Sequence, residues 1–162
     1  MPEESEIRPR EPADLPACVA ALREVHERDG YPQRWPLDPH SFLTPAGLTA
    51  AWVADGCGAV RGHVTLIAQR PDALLLSRLF VVPAARGTGL ARTLLHVAMA
   101  RAAGSGAGLQ LEVVDDAAPA IRLYEGAGWQ LVERRPASWV GPSGRPTVRI
   151  YAVPHAGTTT AG

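Results

Sequence analysis

The chain has 162 residues, of which 46% are hydrophobic, and it carries 16 basic and 16 acidic side chains. This length and composition predict one folded domain over residues 1–162, with a substantial hydrophobic core, and exclude a largely disordered protein. The balanced charge argues against a nucleic-acid partner, because no net positive field would attract a polyanion.

Cysteine content and targeting signals exclude further classes of protein. Cys18 and Cys57 are too few for a disulfide framework or a cysteine-based metal site, so we expect no bound metal. The sequence has no signal peptide and no apolar run of about 18 residues, which favours a cytoplasmic protein without a membrane partner. Residues 1–5 and 155–162 are expected to be flexible tails.

The first third of the chain predicts a strand and two helices. A short strand at Ile7 precedes a helix that opens at residues 12–14 and ends near Gly30. Its expected buried stripe is Leu15, Cys18, Val19, Leu22 and Val25. Residues 31–39 contain too many prolines for a regular element, and a short helix is expected at about 40–43.

The remainder of the chain alternates between strands and helices. Strands are predicted at 50–54, 59–68, 74–82, 109–114, 129–135 and 147–153. A long helix follows the third of these strands, with Leu90, Leu94, Leu95, Val97 and Ala98 inward, and it stops at the glycines of 104–108. Another helix is predicted at 119–127. This order of elements predicts a mixed α/β architecture.

Residues 79–92 form a distinctive junction, in which a strand leads through two glycines into a helix. The first backbone N–H groups of a helix lack partners within it, and its dipole makes this end positive. Gly87 and Gly89 would let an anion approach without a Cβ in the way. The junction therefore predicts a site for a phosphate or pyrophosphate.

A dinucleotide-binding Rossmann unit is one explanation of such a turn. It requires G-x-G-x-x-G after a strand, with an acidic residue about 20 positions later, for which Glu112 or Asp115 would serve. However, Arg92 stands where the third glycine belongs, and too little chain follows for the second half of that fold. A nucleotide-binding oxidoreductase is therefore the weaker interpretation.

A second explanation rests on a resemblance in two motifs. Residues 86–91, Arg-Gly-Thr-Gly-Leu-Ala, resemble the [Q/R]-x-x-G-x-[G/A] signature of the GNAT superfamily of acyl-CoA-dependent N-acyltransferases. Residues 120–129, Ala-Ile-Arg-Leu-Tyr-Glu-Gly-Ala-Gly-Trp, are similar to that family's A-x-x-L-Y-x-x-x-G-[F/W] motif. The resemblance covers about residues 52–153. It implies a mixed, mostly antiparallel central sheet flanked by helices.

The resemblance also implies an N-acetyltransferase that uses acetyl-CoA as its cosubstrate. The cofactor phosphates would be held chiefly by backbone N–H groups of the turn, and the pantetheine arm would pair with the preceding strand as an added strand does. The cofactor-binding residues implied are Leu79, Phe80, Val81, Arg86, Gly87, Thr88, Gly89, Leu90, Ala91 and Arg92.

Two residues are implied in catalysis. Tyr124 would donate a proton to the CoA thiolate, since a phenol with a pKa of about 10 can hydrogen-bond a thiolate with a pKa of about 8.5; the alternative is a core tyrosine. Glu112 lies at a position where some family members have a general base. It could equally be a structural glutamate paired with Arg78 on the neighbouring strand.

One position departs from the family pattern. Ala117 replaces an asparagine that often helps to hold the cofactor, which leaves one CoA contact in doubt. Asp115 or Asp116 beside it could bind the amine substrate or cap the next helix, and the cap is favoured.

The acceptor is not identified by any motif. The resemblance places its site between the first two helices and the last hairpin, where aromatic and charged side chains could hold an ammonium. These side chains are Tyr31, Trp35, Asp38, His40, Trp139 and Arg145, whereas His63 is expected to be structural. The predicted activity is direct acetyl transfer to a primary amine of a small molecule or peptide. The alternative is a non-catalytic CoA-sensing module, and a monomer or homodimer stays open.

Overall fold

The structure is a computed structural model that describes residues 5–56 and 58–154. The two expected tails therefore lie outside the described residues, apart from Ser5, and so does Cys57. Within the described parts of the chain, no helix is both long and apolar enough to cross a membrane.

The elements follow the predicted order. The strands are β1 (Glu6–Pro9), β2 (Leu48–Gly56), β3 (Ala59–Arg70), β4 (Ala73–Val81), β5 (Gly108–Val114), β6 (Gln130–Pro136) and β7 (Thr147–Ala152). The helices are α1 (Leu15–Asp29), α2 (Pro39–Leu43), α3 (Leu90–Ser105) and α4 (Ala118–Gly126), with single 3-10 turns at Pro12–Asp14 and Pro83–Ala85. Predicted and observed strand ends differ by at most two residues.

The strands form one seven-stranded sheet in the order β1-β2-β3-β4-β5-β7-β6. Every neighbouring pair is antiparallel except β4 and β5, which are parallel because α3 forms the crossover between them. The predicted fold class, a mixed and mostly antiparallel sheet flanked by helices, is confirmed.

Successive side chains of the central strand β3 point to opposite faces of the sheet, and helices cover both faces. Gly62 faces α3, and a Cβ built there would lie 2.7 Å from Leu94 Cδ1, so glycine is what allows this close approach. The next side chain, His63, points to the opposite face, where α1 and α2 contact each other. The predicted stripes are largely confirmed: Cys18, Leu22, Val25, Leu90, Leu94, Leu95 and Ala98 are buried, and Leu15, Val19 and Val97 pack against the core.

Candidate functional site

Strands β4 and β5 pair over only half of β4. The first residue pair is Ala73 with Gly108 and the last is Leu76 with Leu111, although β4 continues to Val81. On its other edge β4 stays paired with β3 as far as Gly62. Among the residues that the structure describes, the β5-facing edge of β4 therefore has no strand partner over residues 77–81, and a cleft opens between the two strands.

Arg78 marks the point at which β4 bends away from β5. Its φ of 51° lies in the left-handed region, which is uncommon for a residue other than glycine. Its guanidinium lies 4.2 Å from the ring centre of Phe42, and its Nε donates to the Phe42 carbonyl at 3.0 Å. Helix α2 thus holds the bend, and Arg78 is directed away from β5.

His63 is fully buried beside this bend, which agrees with the structural role expected for it. Its Nδ1 lies 2.9 Å from the Arg78 carbonyl, and its Nε2 lies 3.0 Å from Arg10 Nη1. Since the carbonyl can only accept and the guanidinium can only donate, the ring is neutral with its proton on Nδ1. Burial lowers the pKa of His63 to about 4.

Tyr124 lies on α4 and is 8% exposed. Its ring packs against Trp129 and Tyr151, with ring centres 6.0 and 6.5 Å away. No hydrogen-bond partner of its hydroxyl is found among residues 5–56 and 58–154, where Trp129 Nε1 is the one fully buried side-chain donor or acceptor without a partner. The Tyr124 oxygen is therefore not fully buried. Burial raises the pKa of Tyr124 well above its usual value, so the phenol stays protonated.

Glu112 lies on β5, directly after the last pair with β4. Its side chain is 28% exposed, and its Oε1 accepts a hydrogen bond from Trp139 Nε1 at 3.3 Å. Its second oxygen is 3.9 Å from Arg135 Nη2. The expected partner Arg78 was wrong, because β4 has separated from β5 at that level and Arg78 bonds to α2.

The glycine turn has the geometry that the sequence predicts. Gly87 and Gly89 have φ values of 76° and 80°, and a Cβ built on either one would have no neighbour within 4 Å. The amides of residues 87–90 find no acceptor in the described chain, and helix α3 begins at Leu90. These free donors and the positive end of α3 face open space, which suits an anion.

Arg86 and Thr88 stabilise the turn from within. The Arg86 guanidinium forms an ion pair with Asp29 at the end of α1, and the Thr88 hydroxyl donates to the Ala85 carbonyl at 2.6 Å. The pKa of Asp29 is lowered by this partner. The Arg86 side chain is engaged by Asp29 and its amide donates to the Pro83 carbonyl at 3.3 Å, so Arg86 supports the shape of the turn, and the free amides are those of residues 87–90.

The loop between α1 and α2 contains several of the expected acceptor residues. Tyr31 lies over β4 beside the cleft, with its ring centre 6.5 Å from that of Phe80. Trp35 packs between Arg23 and His26, whereas Asp38 caps α2 by accepting from the Ser41 amide at 3.2 Å. Tyr31 alone of these three faces the cleft, and His40 is exposed.

A pocket of about 410 Å³ lies at the far end of β5, between this loop and the loop that joins β6 to β7. Its lining residues are Gly30, Gln33, Val114, Asp116 and residues 142–146. The loops are joined where Arg34 Nη2 donates to the Gly141 carbonyl at 3.2 Å. Sequence reasoning missed Gln33, Pro142 and Ser143, for which the only available signal was the turn-forming Gly-Pro-Ser-Gly of 141–144.

The two aspartates after β5 do not cap α4. The residue at the N-cap is Ala117, and no side chain bonds to the first turn, so the expected cap was wrong. Asp115 instead forms ion pairs with Arg149 of β7 and Arg134 of β6. Val113, two residues earlier in the chain, is in register with Arg149, and Arg149 is in register with Arg134, so both arginines lie close to Asp115. Asp116 lines the pocket.

Comparison with known proteins gives a family match and a consistent set of folds. The family model for the acetyltransferase (GNAT) family matches residues 15–129. The fold is similar to that of the ribosomal-protein-S18-alanine N-acetyltransferase from Escherichia coli, with 24% identity, a TM-score of 0.76, and 93% of this chain and 94% of that chain covered. No curated protein matches the sequence.

Two further folds of the same kind were solved with a ligand. One is yncA, a putative acetyltransferase from Salmonella typhimurium with its cofactor acetyl-CoA, at 20% identity and a TM-score of 0.75, with 93% of each chain covered. The other is Arabidopsis thaliana NAA60 in complex with a bisubstrate analogue, at 21% identity and a TM-score of 0.71, with 91% of this chain and 96% of that chain covered.

Proposed function

This chain belongs to the acetyltransferase (GNAT) family and is an acyltransferase, and we propose that it moves an acetyl group from acetyl-CoA to a primary amine of a small molecule or peptide. The observation that carries the proposal is the opening of β4 from β5 after Leu76 and Leu111, together with the Tyr124 hydroxyl, which has no hydrogen-bond partner among the described residues.

Acetyl-CoA is the cosubstrate that this site would hold. Its pyrophosphate would accept hydrogen bonds from the amides of residues 87–90, with Arg86, Ala91 and Arg92 completing the turn and the first turn of α3. The amides and carbonyls of its pantetheine arm would pair with the open edge of β4 at Leu79, Phe80 and Val81. Acetyl-CoA is present in the structure of yncA, which has the same fold.

The reaction follows from the groups around the cleft. The acceptor amine attacks the thioester carbon, a C–N bond forms, the C–S bond breaks, and the amine loses one proton while the CoA thiolate gains one. Glu112, on the acceptor side, takes the proton from the amine directly or through water. Tyr124 donates a hydrogen bond and then its proton to the leaving thiolate.

The environment of Tyr124 suits this role. Burial keeps the phenol neutral, so a donor is present throughout the working pH range. A thiolate in the same cleft is also removed from water, and this raises its affinity for a proton. Because the hydroxyl has no other partner in the described chain, its hydrogen bond is available to the cofactor.

We further propose that the chain is one domain and acts in the cytoplasm; a monomer and a homodimer are both compatible with the site.

The proposed acetyl transfer is tested by measuring thiol release from acetyl-CoA with amino acids, peptides, polyamines and aminoglycosides as acceptors. Thermal melting is measured in parallel: acetyl-CoA at 100 times its dissociation constant should stabilise the fold by about 2.7 kcal/mol, and NAD should not. Stabilisation by NAD alone would contradict the proposal.

A further inference from the structure

Two opposite charges face the pocket between the loops without pairing with each other. Asp116 has no side-chain hydrogen bond or ion pair among residues 5–56 and 58–154. Arg145 uses Nη1 to donate to the Ala137 carbonyl at 2.8 Å, and it has no carboxylate partner in the same part of the chain. The neighbouring Asp115, by contrast, is neutralised by two arginines.

Strand β5 sets the distance between the pocket and the proposed base, Glu112. Val114, in the pocket wall, is two residues after Glu112 on the same face of β5. Successive residues on one face of a strand are roughly 6–7 Å apart. A ligand with its amine at Glu112 and its other end in the pocket must therefore span at least this distance, which is more than separates the amine of a simple amino acid from its own carboxylate.

We propose that the acceptor is a diamino acid such as lysine or ornithine, and that the amine at the end of its side chain is acetylated. The α-ammonium binds Asp116 and the α-carboxylate binds Arg145. This inference rests on the proposed function and names the substrate class of the same site.

Charge matching separates this class from simpler amines. A diamine would place an ammonium in the pocket without an anion for Arg145, and an ω-amino acid would place a carboxylate there without a cation for Asp116. Only a zwitterionic end group pairs with both residues at once. The pocket volume lies within the roughly 300–1,000 Å³ of small-molecule sites.

Four compounds dissect the recognition in a thiol-release assay of the complete protein. Lysine carries all three groups, cadaverine lacks the carboxylate, 6-aminohexanoate lacks the α-ammonium, and norleucine lacks the distal amine. We expect kcat/KM for lysine to exceed that for each of the others by at least about tenfold, the value of one charge-assisted hydrogen bond. Mass spectrometric fragmentation of the product should place the acetyl group on the distal nitrogen.

Two variants test the assignment of each charge. Arg145→Gln should bring the ratio of kcat/KM for lysine to that for cadaverine close to one, and Asp116→Asn should bring the ratio of lysine to 6-aminohexanoate close to one. The matched controls Arg101→Gln and Asp72→Asn, both exposed and outside the pocket, should retain the parent preference.

The failure of this inference differs from the failure of the proposed function. Equal kcat/KM for lysine and cadaverine, acetylation of norleucine at its α-amine, or a preference for a peptide N-terminus would overturn the diamino-acid assignment while acetyl transfer stood. Thiol release with other amines of the wider panel but not with lysine or ornithine would likewise overturn only the diamino-acid assignment. Thiol release with no amino acid, peptide, polyamine or aminoglycoside of that panel, although acetyl-CoA binds, would contradict the proposed function itself.

Discussion

Leu76 and Leu111 form the last pair between β4 and β5, and the proposed base Glu112 directly follows that pair. Glu112 is the next residue of β5, and the open edge of β4 begins at Ser77. A parallel pair that continued to Val81 would leave no unpaired backbone for the pantetheine arm. The cleft therefore originates in the termination of one ladder of hydrogen bonds.

The glycine turn can be tested with a matched pair of variants. Gly89→Glu puts a negative side chain where the pyrophosphate should bind, so affinity for acetyl-CoA should fall by at least about a hundredfold. Gly106→Glu is the control, since Gly106 has a similar φ of 74°, open space around its Cβ position, and a place at the far end of α3. Both variants should lose similar stability from backbone strain. Isothermal titration in which they bind acetyl-CoA equally would disprove the site.

Tyr124→Phe should reduce turnover without loss of stability. The hydroxyl has no partner in the described chain, so its removal breaks no protein hydrogen bond, whereas a lost general acid typically lowers the rate by about 10²–10⁴-fold. Tyr151→Phe should lower the stability and leave turnover unchanged, because the Tyr151 hydroxyl hydrogen-bonds to Glu125 and Arg149, each at 3.2 Å. Melting temperatures and kcat for both variants provide the check; full activity of Tyr124→Phe would eliminate this residue as the acid.

Glu112→Gln should lower kcat most at pH values below the pKa of the acceptor amine, where a proton must be removed before attack. At higher pH the free amine needs no base, and the variant should approach the parent. Glu133→Gln is a control, since Glu133 shares register with Ile150, the partner of Glu112, but bonds to Arg135. A deficit that stays constant across the pH profile would instead indicate a structural glutamate.

His63 should make the fold sensitive to mild acid. Its pKa is about 4 in the folded protein and about 6.5 when unfolded, so its contribution is complete above pH 6.5 and is lost as the pH falls towards 4. From pH 7.5 to 4.5 this group alone should remove about 2–3 kcal/mol of the free energy of unfolding. Urea titrations should show a shallower pH dependence for His63→Gln than for the parent or the exposed control His96→Gln. An equal pH dependence of the free energy of unfolding in all three proteins would show that His63 is not the source of the acid sensitivity.

Much of the fold was accessible from the sequence because its signals are local. Gly87 and Gly89 predict their own left-handed backbone, and the stripe of Leu90, Leu94 and Ala98 predicts the buried face of α3. The motif predicts the position of Tyr124, and the structure adds that its hydroxyl has no partner among the described residues.

The partners of charged residues were less accessible, because they depend on register between strands distant in sequence. The sequence suggests Arg78 as the ion-pair partner of Glu112. In the structure β4 bends at Arg78, whose side chain donates to the Phe42 carbonyl of α2, and Glu112 accepts a hydrogen bond from Trp139. Asp115 was likewise expected to act locally as a cap, whereas arginines on β6 and β7 bind it. Neither outcome follows from spacing along the chain.

A crystal structure of the protein with acetyl-CoA is the most direct test of the central claim. The account predicts the pyrophosphate at the amides of residues 87–90, the pantetheine arm against the open edge of β4, and the thioester sulfur within hydrogen-bonding distance of the Tyr124 hydroxyl. A cofactor bound outside the cleft between β4 and β5, or a sulfur beyond the reach of Tyr124, would contradict it.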